Sequence, residues 1–259
     1  MKKIFLVVMV AGILNLGATE GSKDGLIVGV DWSLGQGVGS AEGVSALVIN
    51  NQPVTDGSSS SFSNSTLTNS LKFFLGFQRY SAQNPALGFN IKAKLGAGLA
   101  MMDSVMMSLV SSGSGVPIPQ GTEKATSLQI PLTLGVEGNF LYDFLERGEH
   151  TLGLSLGLGV EVAYSKAVQA NVKGSYSSLF FKEVLERNGM SYALLSPKVG
   201  LHYYYGRHQF GMDMSFDKVL NKSFFSVQLE PDPDLILDES LNTKLNYFFT
   251  LGFNYAYRF

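Results

Sequence analysis

Residues 151 to 164 read TLGLSLGLGVEVAY, and the direction in which this stretch faces decides the fold. Leu152, Leu154, Leu156, Leu158, Val160 and Val162 share one face of an extended chain, and Gly153, Ser155, Gly157, Gly159 and Glu161 share the other. In a sandwich the apolar face would point into a core. In a membrane barrel it would point out into lipid, and the small or charged face would line the interior.

The same alternation recurs seven more times. Leu26 to Leu34, Leu71 to Phe77, Leu87 to Met101 and Leu128 to Phe140 form such runs, as do Val199 to Tyr205, Phe210 to Phe216 and Leu245 to Phe259. Eight strands is an even number, as a bacterial outer-membrane barrel requires. The connections at 81 to 86, 141 to 149 and Gly206-Arg207 are short, whereas those spanning about 36–69, 102–125, 165–191 and 218–242 are long. Short and long connections therefore alternate, which places every long one at the same end. Barrels have short turns on one side and long external loops on the other, and a sandwich has no reason to sort its loops in this way.

The polar face points to the same answer. Asp31, Lys72, Lys92, Lys94, Glu137, Glu161, Lys198, His202 and Asp213 lie inside strands among Gly, Ser, Thr and Asn. Small residues interspersed with opposite charges suit a narrow lumen, where facing walls share space and charges pair. Aliphatic residues hold the middle of the apolar face and aromatic rings gather toward its ends, as two lipid interfaces favour. The fold predicted is all-β, an eight-stranded antiparallel up-and-down transmembrane β-barrel whose lumen carries those nine residues as a charge network.

Composition narrows the function. Residues 1 to 18 combine Lys2 and Lys3, an apolar run and a small-residue exit at Ala18, the pattern of a secretory signal peptide. A membrane anchor needs about 20 apolar residues, and Asn15 interrupts this run. Without Lys2 and Lys3 the chain holds 17 basic and 21 acidic residues, a balance that gives no reason to expect nucleic acid. Cysteine is absent, which excludes disulfides, thiolate metal sites and a cysteine nucleophile.

The early strand DGLIVGVDWSLGQ and the closing strand YFFTLGFNYAYRF resemble those of the Helicobacter outer membrane protein family. The ending also resembles the terminal signal by which barrel-assembly machinery recognises its clients, with Tyr255, Tyr257 and Phe259 as its carriers. The resemblance implies an outer-membrane location in a Gram-negative envelope and that assembly route. The family includes adhesins and porins, so activity is less defined than location. Expected partners are outer-membrane lipid and lipopolysaccharide, the assembly machinery, and a host or cell-surface ligand.

Several local features carry expectations of their own. With Gly206-Arg207 as a hairpin turn, Gly200 faces Asp213, and Lys198 and His202 lie diagonal to it. This cluster reads as a charge-paired interior rather than a catalytic centre, because no hydroxyl or water nucleophile accompanies it. Pro131 and Pro197 fall inside strands of a barrel without a free edge. The apolar parity also slips from Tyr192 and Leu194 to Leu195 and Val199, which predicts a β-bulge between Leu194 and Pro197.

In the loops, SSLFFKEVLERNG could form a short amphipathic helix and EPDPDLILDE could offer oxygen ligands to calcium, although its spacing matches no defined motif. A methionine-rich segment from Met101 to Leu109 could pack over the mouth. GSSSSFSNSTLTNS reads as a low-complexity loop. The reading that results is a non-enzymatic barrel without cofactor or bound metal, acting in envelope structure, adhesion or host contact through its loops. A narrow channel is the alternative, and a lipid-modifying enzyme stands third.

Overall fold

The computed structural model describes residues 23–49, 52–53, 58–108, 122–173, 189–220, 224–228 and 236–259. The signal-peptide reading, the amphipathic helix and most of the acidic segment fall outside these residues. The described strands are β1 (Gly25–Ile49), β2 (Gln52–Pro53), β3 (Ser58–Tyr80), β4 (Leu87–Ser108), β5 (Thr122–Arg147), β6 (His150–Lys173), β7 (Gly189–Tyr205), β8 (His208–Val219), β9 (Phe224–Gln228) and β10 (Ile236–Arg258).

Sheet order runs β1-β3-β4-β5-β6-β7-β8-β10, and β10 pairs back onto β1 from Ile27↔Arg258 to Val48↔Ile236. Eight antiparallel strands therefore form a closed ring, while β2 and β9 extend the ladders of β1 and β10. Closure leaves no unpaired edge along the shared length of the strands, which is how a β-structure satisfies its backbone without water.

The opening stretch faces outward. Leu154, Leu156, Leu158, Val160 and Val162 are exposed on the outer surface, and Gly153 and Gly159 are buried inside. Leucines that a soluble protein would bury are among the most exposed large hydrophobic residues described, with Leu95 at 64%, Leu134 at 63% and Leu156 at 62%. The buried set instead includes Asp31, Lys92, Lys94, Glu137, Asn90 and Gln78. Trp32, Phe73, Phe140, Tyr164, Phe210, Phe216, Tyr247 and Phe259 add rings to the outer face.

Two turns close where the sequence places them, at 81 to 86 and at Gly206-Arg207. A third is tighter than expected, because β5 continues to Arg147 and only Gly148 and Glu149 remain in the turn. Gly148 and Gly206 have φ of 61° and 57°, the left-handed region that a tight hairpin demands and that glycine enters without steric cost.

The long connections are shorter than expected for the same reason. Strand β1 runs to Ile49, β3 begins at Ser58, β4 reaches Ser108 and β6 reaches Lys173. GSSSSFSNSTLTNS is therefore mostly strand, and the methionine-rich segment is strand as far as Ser108. Hydropathy alternation marks only where one face is apolar. A ladder needs only backbone pairing, so it continues past the apolar band through serine-rich sequence.

The predicted bulge at Leu194 to Pro197 is absent. Glu161↔Leu194, Val160↔Leu195, Gly159↔Ser196 and Leu158↔Pro197 form an unbroken register. The parity does not slip, because Tyr192 and Leu194 face inward, where they pack with Met102, Ala163 and Phe248. The proline is accommodated on its other side, where the ladder with β8 passes from Leu195↔Lys218 to Lys198↔Ser215 without a pair at Ser196 or Pro197. Pro131 has the same solution. Its ladder with β4 goes from Ala97↔Leu132 to Ala100↔Gln129, while β6 still pairs Pro131↔Ser165. A missing N–H thus interrupts one neighbouring ladder and leaves the other continuous.

Candidate functional site: the lumen charge network

Alternation places one residue in two of each strand inside the ring, and closure brings those residues from all sides within reach of one another. A belt of alternating sign crosses the lumen as a result. Lys94 Nζ lies 2.6 Å from Asp31 Oδ2 and 2.5 Å from Glu137 Oε2, and Lys198 Nζ lies 2.8 Å from the same Glu137 oxygen and 3.6 Å from Asp213 Oδ1. Lys92, directly opposite Glu137 in the β4–β5 ladder, stands 3.8 Å from Glu137 Oε1. Lys72 and Glu161 form a separate pair at 2.6 Å.

Amides complete the shell. Asn139 donates to Glu137 Oε1 at 2.9 Å and to Asn90 Oδ1 at 2.7 Å, and Asn254 donates to Asp213 Oδ2 at 3.3 Å. Lys92 also stands 4.8 Å from the centre of the Phe74 ring. Burying charge is costly unless each ion has partners of opposite sign, and each ion of the belt has at least one. Small residues make the room: a Cβ on Gly252 would meet the Asp213 carboxylate at 2.8 Å.

Eight of the nine expected residues therefore meet as ion pairs. His202 is the exception, because its partner is Asp143 rather than Asp213, with Nε2 2.6 Å from Asp143 Oδ1. The β7–β8 register is the expected one, with Gly200↔Asp213 and Tyr205↔His208, but Lys198 takes Asp213 and His202 points toward the turn end of the lumen.

A polar floor stands there. Asp143 accepts from Tyr80 at 3.0 Å and from Lys23 at 2.7 Å, Tyr80 and Tyr204 share a contact of 3.1 Å between their hydroxyls, and Tyr204 donates to Gln78 at 3.2 Å. Tyr80, Leu141 and Tyr204 pack together at this level. Lys23, Asp143 and Tyr80 are the residues that sequence reasoning missed. Asp143 shares the parity of Glu137 and Asn139, so carrying the alternation past Phe140 would have found it. Lys23 offers no such signal.

Two cavities lie along the lumen. The upper, of about 80 Å³, is bounded by the belt and by Tyr192, Leu194 and Phe248. The lower, of about 20 Å³, lies between the belt and the floor beside Asn90, His202 and Gln209. Glu137, Lys198 and Asp213 line both.

The residues expected as an assembly signal lie on the outer face at the closing seam. Tyr255 shares a 2.8 Å hydrogen bond with His208, Tyr257 meets Phe259 edge to face with centroids 5.0 Å apart, and Phe259 N donates to Leu26 O at 2.9 Å. Among the described residues, no three His, Asp or Glu side chains are arranged to hold a metal ion.

No family model matches the chain, and no curated protein matches it. Solved structures similar to it include the outer membrane protease OmpT from Escherichia coli, with 9% identity over 94% of this chain and 99% of that one and a TM-score of 0.38. Another is the outer membrane protein OprG from Pseudomonas aeruginosa, with 12% identity over 88% and 96% and a TM-score of 0.38. Ail, the attachment invasion locus protein of Yersinia pestis, has 10% identity over 88% and 98% and a TM-score of 0.21. The barrel assignment rests on this chain's own closed ladder, and no activity follows from these likenesses.

Proposed function

We propose that this chain is an outer-membrane β-barrel protein of a Gram-negative envelope, non-enzymatic, acting in envelope structure, adhesion or host contact through its exposed end. The observation that carries the reading is the inverted surface. A belt of exposed Leu, Val, Ile and Phe encircles a closed ring whose interior is charged, an arrangement that water would penalise and hydrocarbon favours. Such a protein reaches the membrane by a signal peptide and the barrel-assembly machinery, which the terminal Tyr255, Tyr257 and Phe259 would engage. Lipid and lipopolysaccharide would then cover the belt.

Two features favour a contact role over a wide pore. Among the described residues, cavities of about 80 Å³ and 20 Å³ lie on the two sides of a charged belt that crosses the lumen, with a tyrosine floor below the smaller one. The ladders also continue beyond the apolar band on one side, lifting the connections away from the bilayer.

Trp32 is the single tryptophan and is exposed on the outer face, where its ring stacks on Phe253. The refolded barrel in vesicles of brominated phosphatidylcholine should show strong quenching of Trp32 emission, while aqueous iodide leaves it bright. Iodide quenching with no effect of bromine would overturn the membrane reading. Adhesion is tested separately, by loss of binding to host cells when the connection between β4 and β5 is shortened in a barrel that still inserts.

A further inference from the structure

Lys198 stands between two carboxylates. Its Nζ is 2.8 Å from Glu137 Oε2, on β5 two strands away, and 3.6 Å from Asp213 Oδ1, on the adjacent β8. Transfer to Asp213 would leave no charge stranded, because Glu137 keeps Lys94 at 2.5 Å and Lys92 at 3.8 Å. Gly159 on β6 presents no side chain, and a Cβ there would find its nearest atom only at 3.6 Å. Glu137, Lys198 and Asp213 line both cavities, so the side chain that moves and its two acceptors all stand where the cavities meet.

We propose that the belt is a two-position gate: Lys198 alternates between Glu137 and Asp213, and its retreat to Asp213 joins the two cavities into a lumen path for water and small ions. The inference rests on the membrane-barrel reading. In both positions Lys198 has a carboxylate and Glu137 keeps a lysine. The floor at Tyr80 and Tyr204 lies in series below the lower cavity, so the gate is read most directly once that floor has been opened.

Single-channel recording in planar bilayers of phosphatidylcholine with potassium chloride tests the gate. The full chain carrying Tyr204→Ala is compared with the same chain bearing in addition E137Q or D213N. Removing the charge of Glu137 should release Lys198 to Asp213 and raise the fraction of open time by about tenfold or more. Removing the charge of Asp213 should lower it by a similar factor, the scale of one charge-assisted hydrogen bond acting on a two-position equilibrium. Folding is checked by heat-modifiable gel migration and insertion by quenching of Trp32. An E137Q barrel that folds and inserts yet conducts no more than D213N overturns the gate. Failure of the unsubstituted barrel to insert, when it folds by the same gel test, overturns the membrane reading instead.

Discussion

Glu137 and Asp143 stand on β5 with the same parity, and each is the acceptor on which side chains from elsewhere in the chain converge. Glu137 gathers Lys92, Lys94 and Lys198, and Asp143 gathers Lys23, Tyr80 and His202. One strand thus supplies the keystone of the belt and that of the floor.

Truncating Glu137 should therefore cost more than truncating Glu161, its counterpart in the isolated pair. Glu137→Ala leaves buried Lys92 without its carboxylate and takes one of two from Lys94 and from Lys198, and breaking such a buried network costs about 3–5 kcal/mol. Glu161→Ala frees only Lys72, whose side chain is partly exposed, and should cost distinctly less. Urea unfolding of both variants in lipid vesicles measures the difference.

Leu156 separates the membrane reading from a soluble one. At an exposed position in water, Leu156→Arg would be nearly neutral. In the middle of a lipid-facing band the same change costs about 2–4 kcal/mol. Leu134→Arg should behave alike, and both are measured by reversible unfolding in vesicles.

Gly29 faces the interior where β1 meets β10. A Cβ there would run into Tyr255 O and the Phe74 ring, with Ala256 Cα at 2.9 Å. Gly29→Ala should destabilise the barrel by about 1–3 kcal/mol, the scale of overpacking. Gly138 has nothing within 4 Å, so Gly138→Ala should fall within about 0.5 kcal/mol of the parent.

Phe259 lies at the closing seam and is the proposed end of an assembly signal. Its N–H donates to Leu26 O, and its ring meets Tyr257 edge to face. Phe259→Ala keeps the backbone bond and loses one aromatic contact, about 0.5–1.5 kcal/mol. Refolding from urea into detergent should therefore stay efficient, while the amount of folded barrel recovered from cells falls sharply. Equal yields from cells would remove Phe259 from the assembly signal.

The sequence by itself determined the fold class, the outward direction of TLGLSLGLGVEVAY and the lumenal identity of the nine polar residues. The two-residue period of a strand sorts residues onto two faces, and the alternating loop lengths, the small charged face and the aromatic ends decide which face is outside. Strand ends were not legible, because the alternation of Ser58 to Thr66 carries no apolar face and pairing leaves no mark on hydropathy. Tyr192 and Leu194 misled for a related reason: in a narrow barrel an apolar residue can face inward when others close over it. Only the tertiary structure decided partners. Parity places Asp143, Lys198, His202 and Asp213 in one lumen, but whether Asp213 takes Lys198 or His202 depends on how closure staggers β5 against β7 and β8, and stagger is a property of the whole ring.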